Sequence, residues 1–305
     1  MSIRTQTGRR VWGKLLSVLA LLLVSADCLA KDGDKKWSFT PLVGISSPSL
    51  NKLNNGVFRS PLLWAGNVVT QPSGASQTEN ITIINPLPKL RYGTKLGLEV
   101  AYDLNSRNSI ELGFSTWDAS STSTSQVVLP FQGKFSDVFF QRSGDFQYNS
   151  FHIGWRHRIY GDHGKWRINT HIGLRELFDI NYREDMVFLF QTGPAQSFKR
   201  IIQVIPKATG VLMLGLGVGG EYFFTDWLSL GVRAGYSFGF QPIHLNNASI
   251  KSDFQANDNV GTIQLPLRPG PNGQVQYLRS DGSGYSDLTL RMNGWDMMLA
   301  ITIYR

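Results

Sequence analysis

The side chains best suited to acid–base or metal chemistry in this 305-residue chain are five histidines, His152, His157, His163, His171 and His244. A His-x-Ser pair would set a base and a nucleophile on one face of a strand. The residues two places after the histidines are instead Gly154, Ile159, Lys165, Gly173 and Asn246. Glu184-Asp185 is the obvious pair of acids, but adjacent residues point to opposite faces of a strand, so it reads as a solvated turn. Gly215-x-Gly217-x-Gly219 has the composition of a phosphate loop, yet its period of two lays all three glycines on one strand face and no helix follows. His157 falls among apolar positions and reads as an interfacial histidine. The single cysteine, Cys28, lies in a segment expected to be removed, which leaves no disulfide framework and no thiolate site. The expectation is no catalytic residue, no cofactor, no metal and no enzyme.

What must then be positioned is a matter of strands. Residues 1–30 read as a secretory signal peptide. Arg4, Arg9, Arg10 and Lys14 open it, Leu15 to Ala26 is apolar, and Cys28-Leu29-Ala30 offers a small-residue cleavage site. That leader carries +3 of the formal +8, leaving about +5 on residues 31–305, expected to be one domain. A mild excess of that kind on an exported chain argues against nucleic acid as a partner. Mean hydropathy is −0.14, and no run of 18 apolar residues follows the leader, so no helix is expected to span a membrane.

Period-two alternation recurs in eight runs: Trp37–Ser46, Leu90–Asp103, Ser109–Trp117, Tyr148–Tyr160, Trp166–Ile180, Thr209–Phe224, Trp227–Phe240 and Asp287–Tyr304. The links at Leu104–Asn108, Gly161–Lys165 and Thr225–Asp226 are tight, whereas Ser47–Lys89, Asp118–Gln147, Asn181–Ala208 and Gln241–Ser286 are long. Strict alternation of short and long links predicts an all-β, eight-stranded antiparallel transmembrane barrel with short periplasmic turns and long extracellular loops. The faces have the matching polarity. Phe151, Ile153, Trp155 and Ile159 oppose His152, Gly154, Arg156 and Arg158; Leu212, Leu214, Leu216 and Val218 oppose Gly215, Gly217, Gly219 and Glu221. Small and charged residues belong inside a narrow barrel and bulky apolar ones against lipid. Trp166, Tyr222, Trp227 and Tyr304 at the short-turn end, with Trp37, Trp117, Phe178 and Phe240 elsewhere at the rims, read as interfacial aromatics. In the last run the phase slips by one, and a bulge at Asn293-Gly294 would restore it.

With these runs in place, the chain resembles the small bacterial outer-membrane barrels, the group of the OmpA-like transmembrane domain, OmpX and OmpW. Gly217–Leu230 looks like one of their strand–turn–strand hairpins, and Ala101-Tyr102-Asp103-Leu104 with Ser109–Phe114 looks like another. The resemblance implies a bacterial outer-membrane location. It implies insertion by the barrel-assembly machinery through the last strand, and contact with outer-membrane lipid and lipopolysaccharide. Resemblance to barrel enzymes of the lipid A deacylase type would require the missing His-x-Ser pair.

The inward charges form the most informative set: Arg91, Lys95, Glu99, Glu111, Arg156, Arg158, Arg167, Arg175, Glu221 and Arg233. They read as an ion-pair network filling the lumen, with Glu111 the expected partner of Arg158 and Glu221 the next candidate. A basic vestibule for anions is the sharper alternative. Leu62-Leu63-Trp64, Val127–Phe140, Val187–Phe190 and Ile201–Ile205 are too apolar for plain solvated loops. They extend the strands as hairpins, pack on themselves, or form a surface for an extracellular partner. The function expected is a structural or surface-interaction role carried by the long loops, the lumen being plugged by charged side chains. The alternative is a narrow porin or a channel for a small solute or apolar ligand.

Overall fold

A computed structural model describes residues 36–305 apart from 71–73, 162–163, 194–195 and 256–260; the expected signal peptide, 1–30, lies outside the described residues. Eight strands close a ring: β1 (Trp37–Pro48), β2 (Gly93–Asp103), β3 (Asn108–Phe131), β4 (Lys134–Tyr160), β5 (Trp166–Gly193), β6 (Val211–Thr225), β7 (Leu228–Gly239) and β8 (Gly294–Tyr304). Neighbours in sequence pair antiparallel, and β1 also pairs antiparallel with β8. That pairing of the terminal strands removes both edges, so within the ring the strands satisfy one another's backbone groups.

The outward face is an apolar belt. On β4 it runs from Phe151 through Ile153 and Trp155 to Ile159, each of them 42–57% exposed. Eight residue steps at about 3.3 Å of rise, tilted by roughly 40°, give a height near 20 Å, comparable to the ~25 Å apolar band of membrane barrels. Trp166 and Trp227 stand exposed at the short-turn end as expected of interfacial aromatics.

The belt stops sharply. Outward positions on β3 change from Ile110, Leu112 and Phe114 to Thr116, Asp118, Ser120 and Thr122, and on β4 from Phe151 to Asn149, Gln147 and Asp145. At the same height the inward face changes the other way. Glu111, Gly113 and Ser115 give way to Trp117 and Ala119, and His152 and Ser150 to Tyr148 and Phe146. Lipid needs apolar residues outside and a narrow lumen takes small and charged ones. Above the membrane, water lies outside and the enclosed face must become an ordinary core.

The long links at Asp118–Gln147 and Asn181–Ala208 are therefore mostly strand. β3 and β4 run on as a hairpin that turns at Gln132-Gly133, both at positive φ. β5 runs on too, but an extra residue, Asp179 (φ 49°), resets its alternation so that Leu177 and Ile180 both face inward. There β5 changes partner, from β6 below to Gln196–Ala208 above. This tall curved sheet wraps the first and last long loops. The first contributes the five-residue helix α1 (Asn51–Asn55) and the hairpin Leu62–Thr70/Ala75–Ile83; the last contributes three short strands from Leu267 to Asp287. Leu53, Phe58, Trp64, Phe131, Phe140, Phe188 and Phe190 fill the space between them, each at most 1% exposed. Trp64 donates Nε1–H to the Pro130 carbonyl at 2.9 Å, joining the first loop to the β3–β4 tip.

One set of sequence alternatives is resolved here and two readings change. Self-packing hairpins, one of the alternatives for the apolar loop segments, is what forms. Glu184 is no solvated turn residue: it is wholly buried in the head, with Arg142 Nε 2.6 Å from Oε1 and the Tyr182 hydroxyl 3.0 Å from Oε2. Arg142 also donates to the carbonyls of Ser60 at 2.9 Å and Val57 at 2.7 Å, so one guanidinium binds the first loop to the sheet. Burial and the adjacent Glu184 carboxylate hold the Tyr182 phenol well above its usual pKa, which keeps it a donor. The last strand has no bulge at Asn293-Gly294. β8 begins at Gly294, and Leu288, Leu290 and Met292 belong to the head core, which explains their different phase.

Glu184→Gln would leave Arg142 buried without its counter-charge, and breaking a buried pair of this kind costs about 3–5 kcal/mol. Urea unfolding in lipid bilayers, read by tryptophan fluorescence, is expected to show that loss, with the barrel still formed. Peptide tags inserted after Gly74, Gly133 or Gly273 should be reached by protease on intact cells, and tags at Ser106 or Asp226 should not. The reverse pattern would invert the orientation.

Candidate functional site: the lumen ion-pair network

Each lumen residue owes its position to strand parity. On β2, Lys95 and Glu99 share a face with Gly93 and Gly97; on β3, Glu111 shares one with Ser109 and Gly113. Glycines on neighbouring strands make the room. A Cβ on Gly113 would lie 2.1 Å from the His152 ring, and one on Gly219 3.1 Å from Arg233 and 3.3 Å from His171.

Three tiers follow from the outer end inward. In the upper tier Asp296 sits between Lys95, at 3.1 Å, and Arg175, at 3.3 Å. In the middle tier Arg233 pairs with Glu99 Oε1, while His152 Nε2 lies 3.2 Å from Oε2 of the same carboxylate. Glu111 is matched in the same way: Arg156 Nε is 3.4 Å from Oε1 and His171 Nδ1 is 2.9 Å from Oε2. In the lower tier Glu221 accepts from Asn169, Ser229 and the Tyr304 hydroxyl. There Arg167 stacks over Phe223 at 4.0 Å and Tyr304 at 5.4 Å. Arg156 also reaches Asp103 at 3.3 Å.

Nine of the ten residues expected in the lumen lie there. Arg91 does not: it precedes β2 and is exposed at the outer rim. The expected partner of Glu111 is also corrected. Strand stagger places Arg156 beside it, whereas Arg158 sits opposite Asn169 near the short-turn mouth, with no ion-paired carboxylate among the described residues. His152, on the inward face with Gly154 and Arg156, and His171, which shares parity with Gly173 and Arg175, join the network beyond the ten residues expected in it. Tyr304 and Trp117 are not interfacial aromatics. Tyr304, 5% exposed, is inside the lumen. Trp117, 1% exposed, turns inward at the top, donates to the Ser46 carbonyl at 3.1 Å and stacks on Tyr148 at 5.1 Å. Trp117, Phe146 and Tyr148, with Leu177, Met213 and Met292 all buried at this level, form an apolar ceiling over the charged lumen. Beneath it, a cavity of about 100 Å³ is bordered by Glu111, His152, His171 and Arg175.

No protein-family model and no curated protein matches the chain. Solved structures similar to it include Neisserial surface protein A, at 7% identity and a TM-score of 0.34 over 88% of this chain and 96% of that one. The outer membrane protein OprG from Pseudomonas aeruginosa gives 10% and 0.38 over 90% and 98%. A major outer membrane protein from Thermus thermophilus gives 14% and 0.36 over 90% and 100%. Likeness at this level transfers no residue roles, and the closed ring and apolar belt identify the architecture by themselves.

Glu111→Gln and Arg156→Gln, alone and combined, are expected to show a coupling of about 1–3 kcal/mol in bilayer unfolding. Glu111→Gln with Arg158→Gln is expected to be additive. Coupling to Arg158 instead would return the pairing to the one read from sequence. Together these results make the chain a membrane-spanning β-barrel of the outer-membrane kind, with an ion-paired lumen under an apolar ceiling.

Proposed function

We propose that the protein is a closed outer-membrane scaffold whose role is structural or surface-interacting and is carried by its extracellular head. The carrying observation is the continuity of the inward face, from ion pairs in the lumen, through the Trp117–Tyr148 stack, to the head core. A solute would have to part both layers. The outer surface of the β3–β4 hairpin adds support: Val128, Phe135 and Phe139 are 37–52% exposed there, well above the belt, where water would otherwise select polar residues. On this reading outer-membrane lipid and lipopolysaccharide surround the belt, the barrel-assembly machinery inserts it, and an extracellular partner meets the head. No nucleic acid and no enzymatic step enters.

Purified protein in planar bilayers is expected to show no steady conductance. A stable, large open-channel current would replace this reading with the narrow-channel one.

A further inference from the structure

We propose that the middle tier of the lumen is a binding site for a divalent transition-metal ion of the zinc class, with Glu99, Glu111 and His152 as ligands and His171 positioning Glu111. The inference stands apart from the scaffold reading and does not require it.

One ligand atom from each of Glu99, Glu111 and His152 lies within 4.8 Å of the other two. Tetrahedral zinc, with bonds of about 2.0–2.2 Å to nitrogen and oxygen, sets its ligands roughly 3.3–3.5 Å apart. Side-chain movements of about an ångström close that gap, and the donors border the 100 Å³ cavity, which leaves room for the ion and a water to complete the shell. Two carboxylates and an imidazole suit zinc, cobalt or nickel better than calcium or magnesium.

A second observation concerns Glu111. Its side chain is 3% exposed, yet Oε1 has no hydrogen-bond partner among the described residues, and Arg156 approaches that oxygen only at ion-pair distance, 3.4 Å. Buried acceptors are seldom left so. Arg233 acts on the other oxygen of Glu99, and Arg156 meets the offered Oε1 of Glu111 only at 3.4 Å, a contact that the metal would replace. Arg233 holds Oε1 of Glu99 and leaves Oε2 toward His152. His171 holds Oε2 of Glu111 and leaves Oε1 with the longer contact. Such outer contacts orient ligating carboxylates. Their positive charge lowers affinity, so micromolar rather than nanomolar binding is expected. Binding needs the His152 Nε2 lone pair, so that ring takes the Nδ1–H tautomer and its hydrogen bond to Glu99 is replaced by the metal bonds. Gly113 is what lets the ring lie there, because any Cβ at that position would collide with it.

The test titrates untagged, refolded protein in detergent micelles with Zn²⁺ by calorimetry and with Co²⁺ by visible absorption. One equivalent is expected to bind at micromolar concentration, with a Co²⁺ band of tetrahedral nitrogen–oxygen type. His152→Gln and Glu111→Gln are expected to weaken binding at least tenfold, and His157→Gln, on the outer face, to leave it unchanged. Gly113→Ala should displace the His152 ring and weaken binding likewise. Near-ultraviolet circular dichroism verifies that each variant is folded; if Glu111→Gln fails to fold, His152→Gln decides. Absence of saturable binding, or binding insensitive to a folded His152→Gln variant, overturns the proposal, whatever the conductance measurement shows.

Discussion

The structure depends on one constraint: a closed ring of strands must face three different media along its length. Within the bilayer the outer face meets hydrocarbon, and every backbone donor and acceptor must be paired in the ring. Above it the outer face meets water, and the enclosed face is free to be apolar. The strands answer by reversing polarity at one level. On β3 and β4 the lipid-facing belt ends at Phe114 and Phe151, and Trp117 and Tyr148 are the first large apolar inward residues. Where the strand could not keep its phase through that change, on β5, an extra residue at Asp179 restores it.

The charged lumen follows from the same constraint. Eight strands leave an interior just wide enough for side chains. Glu99, Glu111, Glu221 and Asp296 are nearly dehydrated there, so each needs donors close by. Arginine supplies several donors from one side chain, which explains why Arg156 and Arg233 can serve carboxylates on other strands. Glycines opposite the long side chains are the other half of the solution: the ring of His152 occupies the place where Gly113 has no Cβ.

The head is a second core built on the first. Its sheet is the barrel's own strands prolonged, so its geometry is inherited, and loops that would otherwise be free are drawn in by Trp64, Phe58 and Leu53 and tied by Arg142. The result is one inward surface whose lower part is ionic and whose upper part is apolar.

The sequence by itself determined the architecture. Strand parity is local, and the alternation of short and long links follows from it, so eight strands, their order and nine of the ten lumen residues could be read along the chain. Aromatic character suggested the membrane interface for Trp117 and Tyr304, whereas the structure turns both inward, on the strand faces of Glu111 and Thr302. Only the tertiary structure decided which inward residues meet. Pairing depends on stagger around the ring, which no single strand encodes, so Glu111 meets Arg156 and His171 rather than Arg158. It likewise decided that Glu184 is buried. Whether a charged residue in a long link is solvated depends on what folds over it, and here Tyr182, Arg142 and the loop carrying Val57 and Ser60, more than eighty residues before Arg142 in sequence, close around it.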